Sequence, residues 1–173
     1  SAHKSHPLAT AVRVIQRRIV TDAVAHGKER EGLALARALA MTTYRSQEEF
    51  QLRFDGEPSR GLAGPRFPVE DYLDYNGQVF ADRFDARSFV SLSLSMDLHR
   101  VDPRKVGVPL TLISMDPDSI APAYLMRDLH EQLGPGHELV HVPSTCGHDG
   151  FLTDTEAFER IVQRFLDQPR GTP

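Results

Sequence analysis

The stretch Ser144-Thr145-Cys146-Gly147-His148-Asp149-Gly150-Phe151 decides how this chain is read. It sets a histidine on a glycine-flanked turn with an acid directly behind it. The residues before it, 138–142, have the short apolar run of a buried strand. Those after it carry a helical stripe of Phe158, Ile161, Val162 and Phe165, opened by Thr153-Asp154-Thr155-Glu156 in the form of a capping box. Upstream, residues 106–115 are the clearest strand. They are near-continuously apolar, as a strand buried on both faces is, with Pro109 tolerable only at the start. This strand runs into Asp116-Pro117-Asp118. Between the two strands, residues 122–133 place Leu125, Leu129 and Leu133 at steps of four and stop at Gly134-Pro135-Gly136, which predicts a helix. Strand, helix, strand, helix implies parallel pairing through right-handed crossovers. Two strands make no stable parallel sheet alone, so more strands are expected from outside this segment, and an apolar sheet edge is exposed without them.

Before residue 106 the patterns are mostly helical. Residues 7–26 repeat Leu8, Ala11, Val12, Ile15, Ile19 and Ala23 at helical spacing, with Pro7 suited to a first turn and Gly27 to the position past the end. Residues 29–44 are rich in the strong helix formers Ala and Leu. On that helix Leu33, Arg37, Ala40 and Tyr44 share one face. Arg37 can snorkel or pair with a carboxylate of the protein, or it can bind a ligand carboxylate with Tyr44 beside it. Residues 45–54 read as a short helix. Residues 55–67, with three glycines and two prolines, read as a loop. Residues 68–84 return to helical spacing through Val69, Tyr72, Leu73, Phe80 and Phe84, interrupted by Gly77. Residues 85–99 alternate Val90, Leu92, Leu94, Met96 and Leu98 with Ser91, Ser93, Ser95 and Asp97, and taken alone this predicts a strand. The polar tail from residue 167 is expected to fray.

At 173 residues the chain can hold one domain with a sizeable core. A net charge of -4 gives no ground for nucleic acid or an anionic membrane surface as partner. No apolar run is long enough to span a bilayer. The first residues, Ser1-Ala2-His3-Lys4-Ser5-His6, lack the apolar core of a signal peptide. The single cysteine cannot close an internal disulfide, which suits a reducing, cytoplasmic setting.

Reactive groups of open α/β sheets gather at the carboxyl ends of strands, and a histidine there can serve as a general base. Asp116 and Asp118 both qualify as the acid that orients it, and spacing does not choose between them. An acid and then a histidine at successive strand ends form the back half of a nucleophile–acid–histidine triad in the α/β-hydrolase order. The front half, a Gly-x-Ser-x-Gly elbow, occurs nowhere in the 173 residues. Asp149 adjoins His148 but consecutive side chains seldom point the same way. It reads as a charge for a substrate ammonium or as an ordinary loop acid. Cys146 could pair with a histidine as a nucleophile, but a small residue in a tight loop is the better reading. His137 and His141 would stand about 13 Å apart on an extended strand, too far for one ion, so no metal site is expected.

Several short motifs occur in order along the chain: Gly32-Leu33-Ala34-Leu35-Ala36-Arg37, Thr43-Tyr44-Arg45-Ser46, Glu49-Phe50, Arg53-Phe54, Tyr72-Leu73, Arg83-Phe84-Asp85-Ala86, Ser95-Met96-Asp97 and Gly147-His148-Asp149-Gly150-Phe151-Leu152. Together they resemble the homoserine O-acyltransferases of the α/β-hydrolase superfamily. The resemblance implies the C-terminal part of an α/β-hydrolase fold: a helical lid and dimerisation region over residues 1–105, then the last parallel strands and helices of the core over residues 106–173. It turns residues 85–99 from strand to helix. By position His148 then corresponds to the catalytic base and Asp118 to the triad acid, with Pro117 where the family has serine. Arg37, Tyr44 and Asp149 correspond to residues that hold homoserine.

The implied reaction is ping-pong acyl transfer from acetyl-CoA or succinyl-CoA, as co-substrate, to the hydroxyl of L-homoserine in methionine biosynthesis. No permanently bound cofactor is implied. The implied partners are L-homoserine, acyl-CoA and a second copy meeting through the lid helices. The nucleophile elbow would come from an N-terminal half that this chain does not contain, so the isolated chain is predicted inactive. An esterase, a serine O-acyltransferase and a non-catalytic lid module are the rival readings.

Overall fold

The structure is a computed structural model and describes residues 2–61 and 64–167; the tail expected to fray lies, from residue 168 on, outside the described residues. Its first half is helical: α1 (Pro7–Ala25), α2 (Glu29–Tyr44), α3 (Gln47–Phe54), α4 (Pro68–Ala81) and α5 (Ala86–Leu98). Between α3 and α4, where a loop was expected, lies a short antiparallel hairpin of β1 (Ser59–Gly61) and β2 (Gly64–Arg66). Strands of three residues are too short to show any alternation in sequence. The helices meet around Val20, Leu33, Ala36 and Ala86, with Phe80, Phe89 and Val90 packed on that cluster. Gly77 sits where α4 crosses α2. A Cβ there would lie 2.7 Å from the Ala34 carbonyl oxygen, so the glycine that interrupts the helical pattern permits the close crossing.

The second half holds β3 (Thr111–Asp116), α6 (Ala123–Leu133), β4 (Glu138–Pro143), α7 (Gly150–Thr153) and α8 (Thr155–Asp167). Strands β3 and β4 pair in parallel from Thr111↔Glu138 to Asp116↔Pro143, with α6 as the crossover. A second cluster, Ala2, Leu125 and Met126 with Leu112, Leu129 and Leu139, forms where α6 covers this pair. β3 begins later than the apolar run: the ladder starts at Thr111, opposite Glu138. The capping box expected at Thr153 does not form. Thr153 ends α7 and its hydroxyl donates to the Asp149 carbonyl. Among the described residues, no helix is long and apolar enough to cross a membrane.

Residues 85–99 are helical, as the resemblance implied and the alternation did not. Asp85 caps the helix by accepting from the Ser88 N–H at 2.8 Å. The alternating apolar residues are spread around α5, and Leu92, Leu94, Met96 and Leu98 remain exposed. Its covered side is apolar at Ala86, Phe89 and Val90 and turns polar toward the C-terminal end. Ser93 and Asp97 face α1, where Arg17 donates to Ser93 Oγ at 2.9 Å and to Asp97 Oδ2 at 2.6 Å, and Arg13 Nε donates to Asp97 Oδ1 at 2.7 Å. Burial pushes the Asp97 carboxyl up, but the bonds from Arg17 and Arg13 outweigh it and hold the carboxyl below its usual range. The side chain is 7% exposed. Removing it leaves two largely buried guanidinium groups without their shared carboxylate, which costs about 3 kcal/mol. Asp97→Ala should therefore unfold at markedly lower denaturant than the parent chain at neutral pH. Because the folded carboxyl is held low, its contribution is present above the unfolded carboxylate value and disappears as pH falls through the folded one. Urea midpoints of both proteins across the acid range should accordingly converge.

Candidate active site

His148 lies on a 3-10 turn, Gly147–Asp149, just past the end of β4. Gly147 has φ +71, a conformation that favours glycine, and a Cβ there would stand 2.8 Å from the Ser46 nitrogen. The turn thus passes directly under the α2–α3 junction. Asp118 lies on the loop after β3. Its Oδ2 is 2.8 Å from His148 Nδ1, while its Oδ1 accepts from the Ile120 and Ala121 N–H groups at 2.8 and 2.9 Å. The carboxylate is therefore held at both oxygens, and its side chain is 9% exposed. Burial raises its carboxyl, but the bond from His148 and the two backbone donors outweigh that and keep it low and ionised. An ionised carboxylate can only accept, so it keeps the imidazole proton on Nδ1 and leaves the Nε2 lone pair available to take another.

Asp116, the competing acid, goes elsewhere. Its Oδ2 is 3.2 Å from Nε2 of His141, whose Nδ1 lies 3.0 Å from Ser114 Oγ across the ladder. The strand-end pair sorts in this way because Asp116 still belongs to β3, whereas Asp118 is on the loop that reaches the histidine turn.

A cavity of about 480 Å³ opens beside the imidazole between the helices, lined among others by Arg37, Tyr44, Phe80, Phe89, Met96 and His148. The Tyr44 ring is 5.9 Å from the His148 ring, centroid to centroid. The Arg37 guanidinium sits 5.1 Å from the Tyr44 centroid and 5.3 Å from that of Phe80. Stacking on two rings fixes a cation while leaving its N–H edge free for an anion. A second cavity of about 790 Å³, lined by Ser114, Met115, Asp118 and Phe158, also reaches His148. The imidazole thus stands between two open spaces.

Four of the residues singled out in sequence, Arg37, Tyr44, Asp118 and His148, are brought together here. Asp149 lines neither cavity; its Oδ2 lies 3.5 Å from Arg45 Nε, on the other side of the turn. Cys146 is partly buried and its backbone N–H donates to Ser144 Oγ at 3.1 Å. Among the described residues, no group of three or more His, Cys, Asp or Glu side chains is placed to hold a metal ion. Sequence reading missed the aromatic wall, Phe80, Phe84 and Phe89, as part of the site. Its signal was present, since Phe84 and Phe89 flank the cap of α5, but core packing explains such residues equally well.

No family model matches the chain. It is 40% identical over 165 residues to a homoserine O-succinyltransferase of Xanthomonas campestris pv. campestris, covering 95% of this chain and 45% of that protein. It is 34% identical over 146 residues to a homoserine O-acetyltransferase of Chlorobium chlorochromatii, covering 79% of this chain and 41% of that protein. The chain thus spans less than half the length of these relatives. Among solved structures, a homoserine O-acetyltransferase from Bacillus anthracis superposes with a TM-score of 0.82 at 17% identity, over 99% of this chain and 52% of that one. That likeness shows the fold, which is of the α/β-hydrolase class.

Proposed function

Since the chain belongs to the homoserine O-acyltransferase family, we propose that it supplies the acid–base and acceptor-binding half of an enzyme that moves an acyl group from acyl-CoA to the hydroxyl of L-homoserine. The observation that carries this reading is the 2.8 Å contact between Asp118 and His148 Nδ1 beside a cavity that Arg37 also lines. In the first half-reaction a serine hydroxyl gives its proton to His148 Nε2 and attacks the thioester, and the departing thiolate takes the proton back. In the second, the homoserine hydroxyl gives its proton to the same nitrogen and attacks the acyl-serine, whose oxygen takes the proton back. Asp118 keeps the proton of Nδ1 in place throughout and stabilises the imidazolium.

Arg37 would hold the homoserine carboxylate, with Tyr44 beside it. Asp149 would reach the ammonium only after leaving Arg45. No Gly-x-Ser-x-Gly occurs in the chain, so the nucleophile and the oxyanion donors are assigned to polypeptide beyond these 173 residues, and the chain alone is expected to be inactive. The helical region over residues 1–105 would act as lid and dimer contact. The exposed Leu8, Ile15, Leu94 and Leu98 support that assignment. A cytoplasmic setting and a place in methionine synthesis complete the proposal.

The test joins this chain to the upstream half of the Xanthomonas relative and assays thiol release from acetyl-CoA and succinyl-CoA. Homoserine, serine and water compete as acceptors. O-Acylhomoserine as the main product is expected. Hydrolysis alone, or O-acylserine as the main product, would overturn the reading. In the same protein Arg37→Ala should raise KM for homoserine about 10- to 100-fold, the loss of a charge-assisted bond. Formation of the acyl-enzyme, which precedes homoserine binding, should keep its rate.

A further inference from the structure

Four consecutive residues at the end of α2 and the start of α3 touch both loops that carry the acid and the base. The Thr43 carbonyl accepts the Ser119 hydroxyl at 3.0 Å, one residue past Asp118. The Tyr44 carbonyl oxygen and the Ser46 nitrogen press on Gly147, where a Cβ would meet them at 3.2 and 2.8 Å. Arg45 reaches Asp149 at 3.5 Å and is itself held by Glu49 at 3.1 Å. Ser46, 4% exposed, donates its hydroxyl to the Thr145 carbonyl and accepts from the Glu49 N–H at 2.9 Å.

The ladder ties the two loops together only as far as the bond from Ser144 N to the Asp116 carbonyl, at 3.1 Å. Beyond it the acid loop and the histidine turn leave the sheet, and this junction spans them beside the Asp118–His148 contact itself. We propose that residues 43–46 form a latch that sets the separation of Asp118 and His148, with Ser46 and Ser119 as its positioning residues. Neither hydroxyl touches the imidazole. Each bonds a backbone oxygen across the gap between the helical half and a loop, so each acts through the residue it places. The latch also explains why the junction is tight. Gly147 allows the turn to slide under the backbone of residues 44–46, and the two hydroxyl bonds close on either side of it. The helices that wall the cavity and the loops that carry the proton relay are thereby one mechanical piece.

The inference rests on reading Asp118 and His148 as an acid–base pair. The test uses the full 173-residue chain and reads the His148 tautomer by two-bond proton–nitrogen NMR above the imidazole titration. In the parent the proton is expected on Nδ1, because the Asp118 carboxylate holds it there. Ser119→Ala and Ser46→Ala should each raise the population with the Nδ1 bond broken about fivefold, the equilibrium worth of one neutral hydrogen bond. That population appears as a shift toward the mixed tautomers of free histidine. Ser46→Thr, which keeps a hydroxyl, should stay like the parent. Arg30→Ala, which removes an exposed pair with Asp82 between α2 and α4, should do the same. Thermal melts identify folded variants. If Ser46→Ala does not fold, Ser119→Ala decides, since its hydroxyl lies on an exposed loop. A parent with its proton on Nδ1 whose Ser119→Ala variant matches it overturns the latch alone. A parent with its proton on Nε2 overturns the reading of the site and the latch with it.

Discussion

On the proposed mechanism, His148→Ala in the joined protein should lower kcat for acyl transfer about 10⁵-fold or more. The size follows from the number of steps that need the imidazole. A serine hydroxyl is a weak nucleophile until its proton is taken, and the homoserine hydroxyl is no better. In the proposed mechanism His148 Nε2 takes both protons, since Asp118 occupies Nδ1. Both half-reactions should therefore fail together. Rapid-quench measurement of thiol release should show no burst, and no transfer to homoserine should follow. A burst of parent size in the variant would assign the base elsewhere and sink the proposed role of His148. Binding of homoserine should survive, because Arg37 is held by Tyr44 and Phe80 rather than by the imidazole. Calorimetric titration of homoserine into the inactive variant is thus a second check on the same assignment.

Much of this site is legible in the chain because its parts sit at element ends, which sequence marks well. His148 and Asp118 follow strands whose apolar runs are unmistakable, and Arg37 and Tyr44 share a helix face by spacing alone. What spacing could not do was choose between Asp116 and Asp118. Both follow the same strand, and the choice depends on which of two histidines each can reach. Family resemblance points to Asp118, and in the structure Asp118 Oδ2 lies 2.8 Å from His148 Nδ1 while Asp116 lies beside His141. The alternation in residues 85–99 misled for a different reason. A period of two signals a strand when the apolar set is the buried set. Here the buried residues of α5 are Ala86 and Ser93, and the leucines face outward. The latch at residues 43–46 was illegible for a third reason. Its bonds go to backbone oxygens of Thr145 and Thr43, 99 and 76 residues away, and no side-chain pattern announces a backbone acceptor so distant in the chain.

Asp118→Asn should cost about 10⁴-fold in kcat while leaving the site's shape almost unchanged. The reason lies in which atoms are already spoken for. Oδ1 of Asp118 accepts two backbone N–H groups, from Ile120 and Ala121. An asparagine that keeps those bonds must place its carbonyl oxygen there and turn its amide N–H toward His148. Two donors cannot face each other, so the imidazole must present a lone pair at Nδ1 and carry its proton on Nε2. In the proposed mechanism that nitrogen is the one that accepts a proton from serine and from homoserine. The same two-bond NMR experiment should find the tautomer inverted, and an Nδ1–H signal retained in the variant would sink this account. Stability should follow pH in a matching way. The carboxyl of Asp118 is pushed up by burial but held lower still by His148 and the two backbone donors. A carboxylate held low in the folded state stabilises it above the unfolded value, about 3.9, and loses that contribution as pH falls through the folded value. The difference in melting temperature between parent and Asp118→Asn should therefore be largest near neutral pH and shrink in acid. A difference that stays constant down to acid would mean that the carboxylate's charge contributes nothing to the fold, and that its interaction with His148 serves orientation alone.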